Sequence, residues 1–161
     1  MKPARTDERG RPIKRRTRTT RGPQDAPPLR TPIDGGKLPG MAPIARLTAV
    51  VLDCPDPHKL AAFYGELTGW RVEYDEAEWV TLNTGTGIRV CFQESTDYIA
   101  PAWPDPNAPQ QIHLDLEVED LDAAEERVLA LGATKPDFQP GETWRVYIDP
   151  AGHPFCLYEE D

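Results

Sequence analysis

The chain has 161 residues, of which 39% are hydrophobic, and this size suits one globular domain with a tail. Its net charge of −9 is unevenly spread, because residues 1–40 hold 11 of the 18 basic and 4 of the 27 acidic residues (net +7), which leaves −16 for the remainder. The acidic body argues against nucleic acid or an anionic membrane as its ligand, and no apolar run approaches the ~18 residues of a membrane span. An odd set of three cysteines and the lack of a visible secretory signal favour a reducing cytoplasm.

Residues 1–42 are predicted to form a disordered basic tail. They are rich in Pro and Gly and poor in the large apolar side chains that would offset ordering entropy. The domain is predicted over residues 43–161, and its ~120 residues can bury about two-thirds of their extended-chain surface. A basic run at 14–21 is of a kind that contacts polyanions, but it is more simply interpreted as a solvated leader, so nucleic acid is not an expected partner.

Module one is predicted over residues 45–95 and opens with an apolar, β-branched strand at 46–53. Asp56 is placed to cap the following helix, Pro57 suits its first turn, and Gly69 ends it. Three short strands then form a predicted meander, joined by an acidic turn and a Thr-Gly-Thr-Gly turn, at 70–74, 79–83 and 88–94.

A proline-rich linker spans 95–110, and the same order of elements repeats in module two, predicted over 111–160. Its strand at 112–118 precedes a helix that Asp120 caps and Gly132 closes. The last two strands are separated by an Asp-Pro-Ala-Gly turn, and the three predicted strands lie near 133–138, 143–148 and 154–158.

The two modules are copies of one pattern, which predicts an α+β fold of two tandem β-α-β-β-β modules. Equivalent positions are related by a pseudo-twofold axis, and a site on that axis should draw on both copies. The paired positions are Ala49 with His113 and Asp56 with Asp120 at an offset of 64 residues, and Trp79 with Trp144 and Cys91 with Cys156 at an offset of 65.

Alternation separates the two faces of the strand at 112–118. One face carries only apolar residues, suited to packing on helices, whereas His113, Asp115 and Glu117 occupy the other. Three polar residues in succession on one face indicate that this face is wet and lines a cavity.

Two such modules, the segment His-Leu-Asp-Leu-Glu-Val-Glu-Asp-Leu-Asp-Ala-Ala at 113–124 and the segment Asp-Pro-Ala-Gly-His-Pro-Phe-Cys-Leu at 149–157 resemble the vicinal oxygen chelate superfamily. This is the fold of glyoxalase I, the bleomycin-resistance proteins and the extradiol dioxygenases, and the resemblance, over 44–160, is strongest to glyoxalase-like domains of bacterial proteins. It implies helices packed outside a curved mixed sheet that encloses a cavity. It also implies a homodimer, since this family often completes its sites by pairing modules within or between chains.

In metal-dependent members of the superfamily, one ligand, usually His or Glu, comes from the first and last strand of each module. The matching positions here are Ala49, Cys91, His113 and Cys156. Ala49 offers no ligand atom and thiols stand where carboxylates are expected, so neither a metal cofactor nor glyoxalase I activity is favoured. If a divalent metal binds, His113, Cys91 and Cys156 are the implied ligands, since thiolate and imidazole suit zinc. The alternative is that both cysteines are small buried apolar residues.

His113 and Asp115 are the candidate catalytic residues, because an imidazole beside a carboxylate can act as base, metal ligand or hydrogen-bond donor. The alternative is a structural histidine held by Asp115. Trp103 lies in the linker, where it can lid the cavity or pack at a subunit contact, and His58 and His153 are interpreted as surface or turn residues. The candidate ligand-binding residues form an aromatic and polar lining, although Trp79 and Trp144 fit a structural role equally well: Trp79, Cys91, Gln93, Trp103, Trp144 and Tyr158.

Three functions stay open. The missing ligand at Ala49 favours a glyoxalase-like domain that binds a small organic molecule in its cavity without the full metal site of the family. The second is an enzyme, a lyase, isomerase or dioxygenase, that uses His113 with Asp115 or with a metal. The third is an interaction module in which the basic tail recruits a partner and the domain is a scaffold.

Overall fold

The computed structural model describes residues 44–159, so the predicted tail at 1–42 lies outside the described residues. Within this range, two helices and seven strands form a mixed α+β fold, as predicted. No helix in the described part of the chain is both long and apolar enough to cross a membrane. In chain order the elements are β1 (Ala49–Cys54), α1 (Pro57–Thr68), β2 (Arg71–Glu76), β3 (Trp79–Asn83), β4 (Arg89–Glu94), β5 (Leu114–Glu117), α2 (Leu121–Ala130), β6 (Trp144–Ile148) and β7 (Pro154–Tyr158).

The strands form two sheets, one in each module. The first sheet has the order β1-β4-β3-β2, and the second sheet has the order β5-β7-β6. In both, the first strand of the module pairs in parallel with the last strand, while the remaining pairs are antiparallel. The repeated topology bears out the duplication, and it places the first and last strands of each module side by side.

Both helices begin where the sequence indicates. The Asp56 carboxylate accepts a hydrogen bond from the Lys59 amide at 2.9 Å, which satisfies a backbone donor of the first turn of α1. Gly69 ends that helix in a left-handed conformation with φ of 74°. In α2 the Asp120 carboxylate accepts bonds from two backbone amides, each at 2.9 Å.

The strand predicted near 133–138 is reduced to a single bridge between Thr134 and Ile148, so the second sheet has three strands rather than four. Pro136 has no backbone N–H to donate to a neighbouring strand. Beyond it, the Gln139 side chain takes the place of a strand, because its amide accepts from the Val146 N–H at 2.8 Å and donates to the Val146 carbonyl at 2.9 Å. The outer edge of β6 is thereby paired with a side chain.

One hydrophobic core runs through both modules. Phe63 and Tyr64 of α1 contact Phe155 of β7, with ring centroids 5.8 Å and 6.2 Å apart. The helix of the first module therefore packs on the second sheet as well as on its own. The opposite faces of the two sheets are left for other roles.

Candidate functional site

The polar side of β5 lies on the face of the second sheet that is turned away from the core, and we call this the site face. Leu114 and Leu116 pack against the core, so His113, Asp115 and Glu117 point the other way, as the alternation predicts. The strand register continues this face across the sheet in two rows, Asp115–Cys156–Val146 and Glu117–Tyr158–Trp144.

His113, Asp115 and Cys156 converge on the site face, since one nitrogen, oxygen or sulfur atom of each lies within 4.8 Å of the others. Nε2 of His113 is 3.4 Å from Oδ1 of Asp115. On the other side of the ring, the side-chain amide nitrogen of Gln110 is 3.3 Å from Nδ1. Because an amide nitrogen donates, Nδ1 is the acceptor and Nε2 carries the proton that faces Asp115.

These three groups shift one another's pKa values. The hydrogen bond to Asp115 raises the pKa of His113 above its ordinary value, although burial opposes the change. His113 lowers the pKa of Asp115, and the Cys156 thiol contributes to the same shift. Burial and the negative charge of Asp115 raise the pKa of Cys156 far above the usual thiol range. At neutral pH, Cys156 is therefore a protonated hydrogen-bond donor rather than a nucleophile.

An aromatic patch, formed by Trp144, Tyr158 and Trp103, borders the three groups. Trp144, Val146 and Cys156 form an apolar cluster separate from the main core, and Trp103 and Tyr158 pack against it. Three of the predicted ligand-binding residues are thus brought together around Cys156. One of these residues, Trp103, comes from the linker between the two modules.

The other three predicted ligand-binding residues lie on the first sheet, where Trp79 pairs with Gln93 in the strand register. The indole N–H of Trp79 donates to the Thr81 hydroxyl at 2.8 Å, and that hydroxyl donates to the Cys91 sulfur at 3.5 Å. Asp115, rather than Cys91, completes the cluster around His113. The equivalent of His113 on this sheet is Ala49, whose side chain carries no polar atom.

A buried polar network around Asp149 was not predicted from the sequence. The Asp149 side chain is 0% exposed, and its carboxylate accepts bonds from the Tyr64 hydroxyl at 3.1 Å and from Nδ1 of His153 at 3.0 Å. Burial raises the pKa of Tyr98 to about 12, so its hydroxyl keeps its proton, and this hydroxyl is hydrogen-bonded to Nε2 of His153 at 3.1 Å. His153 therefore fits the second of the two interpretations, a largely buried residue at the end of a turn, whereas His58 fits the first and is exposed.

His153 also borders an open cleft of about 520 Å³ between β1 and the linker. The lining of this cleft does not include His113 or Asp115. One sequence feature could have indicated this network. A histidine follows an aspartate by four residues across a tight turn, and this spacing allows the two side chains to contact each other. Burial of that turn depends on Tyr64 and Tyr98, which are distant in sequence.

The described residues match known proteins over most of their length. A family model described as a glyoxalase-like domain matches residues 49–158, more than half of the chain. A comparison with curated proteins returned no match.

Solved structures show the same fold. A glyoxalase/bleomycin resistance protein/dioxygenase family enzyme from Burkholderia phytofirmans PsJN is 18% identical, with a TM-score of 0.56, and 71% of this chain and 98% of that chain are covered. A mutant of the fosfomycin resistance protein FosX from Listeria monocytogenes, complexed with Mn(II) and 1S,2S-dihydroxypropylphosphonic acid, is 19% identical, with a TM-score of 0.56 and 72% and 90% covered. The oxidase ChaP-H2 is 18% identical, with a TM-score of 0.53 and 74% and 96% covered.

Proposed function

Because the chain belongs to the family of glyoxalase-like domains, we propose that it binds a small organic molecule on the site face, with His113 and Asp115 as the polar centre. The observation that carries the proposal is the convergence of His113, Asp115 and Cys156 beside the aromatic patch. A few fixed polar groups next to an apolar wall are the usual composition of a small-molecule site. The pair supplies a carboxylate acceptor and an imidazole whose pKa is raised by its hydrogen bond to that carboxylate.

Binding of this kind does not need the complete metal centre of the superfamily. Ala49 provides no ligand atom on the first sheet. On the site face, hydrogen bonds from His113 and the Cys156 thiol lower the pKa of Asp115, so the carboxylate has polar partners without a metal. A ligand with a hydroxyl or amino group would exchange one of these bonds for its own.

The test is a titration of the full chain with a fragment library, followed by NMR. We expect the fragments that bind to shift amide resonances of β5 and β7. Asp115→Asn should weaken their binding about tenfold, because a hydrogen bond to a charged group contributes about 1.5–3 kcal/mol. The matched control is Asp75→Asn, which removes the carboxylate of an exposed His–Asp pair, 2.8 Å apart, and should change nothing. Hits that bind elsewhere, or that ignore Asp115→Asn, would contradict the proposal.

A metal-dependent enzyme is the second candidate, and the close approach of His113, Asp115 and Cys156 favours it. Imidazole, carboxylate and thiolate together suit a zinc-type ion better than the Mn(II) of the FosX complex, because manganese prefers oxygen ligands. When bound, such an ion would polarise a substrate oxygen as a Lewis acid. Cys156 must lose its proton to become a ligand, so binding should strengthen as the pH rises.

Metal content decides between the two candidates. Mass spectrometry of protein purified without chelators should find near-stoichiometric zinc, lost in His113→Ala and Asp115→Asn, if the second candidate holds. Retention of the metal in Cys91→Ser would assign the site to His113, Asp115 and Cys156, whereas its loss would restore Cys91 as a ligand. Protein that stays metal-free after incubation with zinc and desalting contradicts the metal-dependent reading.

We also propose that two copies of the chain associate. β1 and β5 are the outer strands of their sheets, and large apolar side chains beside them are exposed, Val51 by 43% and Ile99 by 88%. Ile112, which the sequence placed on the packing face, is exposed as well. Sedimentation velocity should show a dimer that Ile112→Glu dissociates, while Leu131→Glu, another exposed apolar position, leaves it intact. A monomer at every concentration would contradict this proposal.

A further inference from the structure

The indole of Trp103 covers the aromatic patch on the site face. It packs on the cluster of Trp144, Val146 and Cys156, and its ring centroid lies 5.5 Å from that of Phe138. Trp144 is 6% exposed, and the backbone at Gly141 also lies against its indole, whereas Trp79, its equivalent in the first module, is only half-buried. A surface that accepts a planar indole has the size and polarity to accept another planar aromatic ring.

The cover is carried by a loop that closes on itself. The Ala102 amide donates to the Ala108 carbonyl at 2.9 Å, the Asp105 amide donates to the Ala102 carbonyl at 2.6 Å, and the Ala108 amide donates to the Asp105 carbonyl at 3.3 Å. These backbone bonds join residues 102–108 to one another and not to a strand. The loop can therefore leave the patch as a unit without breaking a sheet hydrogen bond.

Acidic groups border the covered patch. Asp115 lies beside Cys156 in the strand register, and Glu117 lies beside Tyr158. His113 is the basic group next to them, and it is bonded to Asp115. A border of this kind favours a ligand that donates hydrogen bonds or carries a positive charge, and it repels an anion.

We infer that the ligand of the site face is a planar aromatic molecule bearing a hydroxyl or amino group, and that Trp103 holds its place until the ligand displaces it. The aromatic ring takes the position of the Trp103 indole against the cluster of Trp144, Val146 and Cys156, and the hydroxyl or amino group donates to Asp115. This inference rests on the proposed function and names the substrate class. It separates this site from one that would hold an anion such as a phosphonate.

The experiment uses two indole probes of opposite charge, tryptamine and indole-3-acetate, with the full chain and its Trp103→Ala variant. Calorimetry should show that Trp103→Ala binds tryptamine at least about tenfold more tightly than the wild-type chain, because the cover no longer competes for the patch. It should also bind tryptamine at least about tenfold more tightly than indole-3-acetate. Amide shifts at β5 and β7 locate the bound probe.

Two further variants test the charge argument. Asp115→Asn, in the Trp103→Ala background, should reduce the preference for tryptamine over indole-3-acetate, because Glu117 then remains as the one acidic group of the border. Asp53→Asn removes the same charge from β1 on the first sheet and should leave the preference unchanged. Trp103→Phe keeps an aromatic ring at the cover and should bind tryptamine with intermediate affinity, and far-UV circular dichroism confirms that each variant is folded.

Each outcome bears on a different claim. Equal tryptamine affinity in the wild-type and Trp103→Ala chains, with shifts at β5 and β7, overturns the cover and leaves the proposed function standing. A preference for indole-3-acetate overturns the ligand class. If folded Trp103→Ala binds neither probe, the inference fails, and the fragment titration still decides the proposed function independently.

Discussion

At the scale of single residues, the pair of His113 and Asp115 makes the site sensitive to pH. Asp115→Asn should lower the pKa of His113, because it weakens the hydrogen bond and removes the negative charge that raise that pKa. The titration of the His113 Cε1 proton by NMR measures the shift directly. Asp75→Asn is the control, and an unchanged His113 pKa in Asp115→Asn would separate the two side chains in solution.

The same pair predicts a pH dependence of stability. The pKa of His113 is raised on folding, so its contribution is full below the ordinary histidine pKa and is lost as the pH rises through the folded value. The pKa of Asp115 is lowered, so its contribution is present above the ordinary aspartate pKa and is lost as the pH falls through the folded value. Asp115→Asn should therefore destabilise the protein most in mildly acidic solution, by less than about 1 kcal/mol because the pair is partly exposed. Urea titrations across the pH range check this, and a larger loss in alkaline solution would refute it.

The three cysteines are all buried, and this predicts their reactivity. Burial raises the pKa of Cys54 to about 11, and burial with the Asp115 carboxylate raises that of Cys156 further. Iodoacetamide should therefore modify Cys156 in the folded protein far more slowly than in urea. Asp115→Asn should accelerate its modification, as followed by peptide mass spectrometry, while Asp75→Asn should not. Rapid alkylation of Cys156 in the native wild-type chain would contradict this prediction and make Cys156 a candidate nucleophile.

At the scale of elements, β6 depends on a side chain for its outer partner. Gln139→Ala removes the amide that pairs with both backbone groups of Val146 and should cost about 1–2 kcal/mol. Hydrogen exchange of the Val146 amide should accelerate, because that N–H loses its acceptor. Gln111→Ala, which removes an exposed amide just after the linker, is the control. Unchanged exchange at Val146 would mean that water replaces the side chain without cost.

Most helices and strands were predicted correctly because nearby residues mark them. Features that depend on contacts between distant residues were not predicted. Asp56 and Asp120 mark helix starts through bonds to amides two or three residues away, which a sequence reveals. The prediction of a strand near 133–138 was wrong because the place beside β6 is taken by the Gln139 side chain. Pro136 was a local sign against the strand, but no local pattern indicates that a side chain replaces it.

The site divides in the same way. Alternation along one strand placed His113 and Asp115 on a common face, and the duplication pointed to Cys156. The cover by Trp103 and the burial of Asp149 arise from segments far apart in the chain. A single sequence carries no local record of such contacts.

At the scale of the whole molecule, the shared core predicts that both modules unfold together. Asp149→Ala should lower the free energy of unfolding by about 3 kcal/mol, because it leaves buried donors on Tyr64 and His153 without an acceptor. Tyr64→Phe removes one of these bonds and should cost about 1 kcal/mol. Tryptophan fluorescence and far-UV circular dichroism should give coincident urea transitions in all three proteins. Two separate transitions would show that the modules are independent.

The turn between β6 and β7 has a glycine, Gly152, at the point where the linker approaches it. Its φ is 98°, and an added Cβ would lie 2.5 Å from the Cβ of Ala100. The linker lies close against the second module because that one position has no side chain. Gly87, its equivalent by the offset of 65, has open space around it, so the two copies have kept the same glycine under different steric demands. A methyl group at 152 would press against Ala100 of the linker and would also strain the turn itself, because residues other than glycine rarely adopt a φ of 98°. Loosening the linker at this position therefore comes with a loss of stability in the turn.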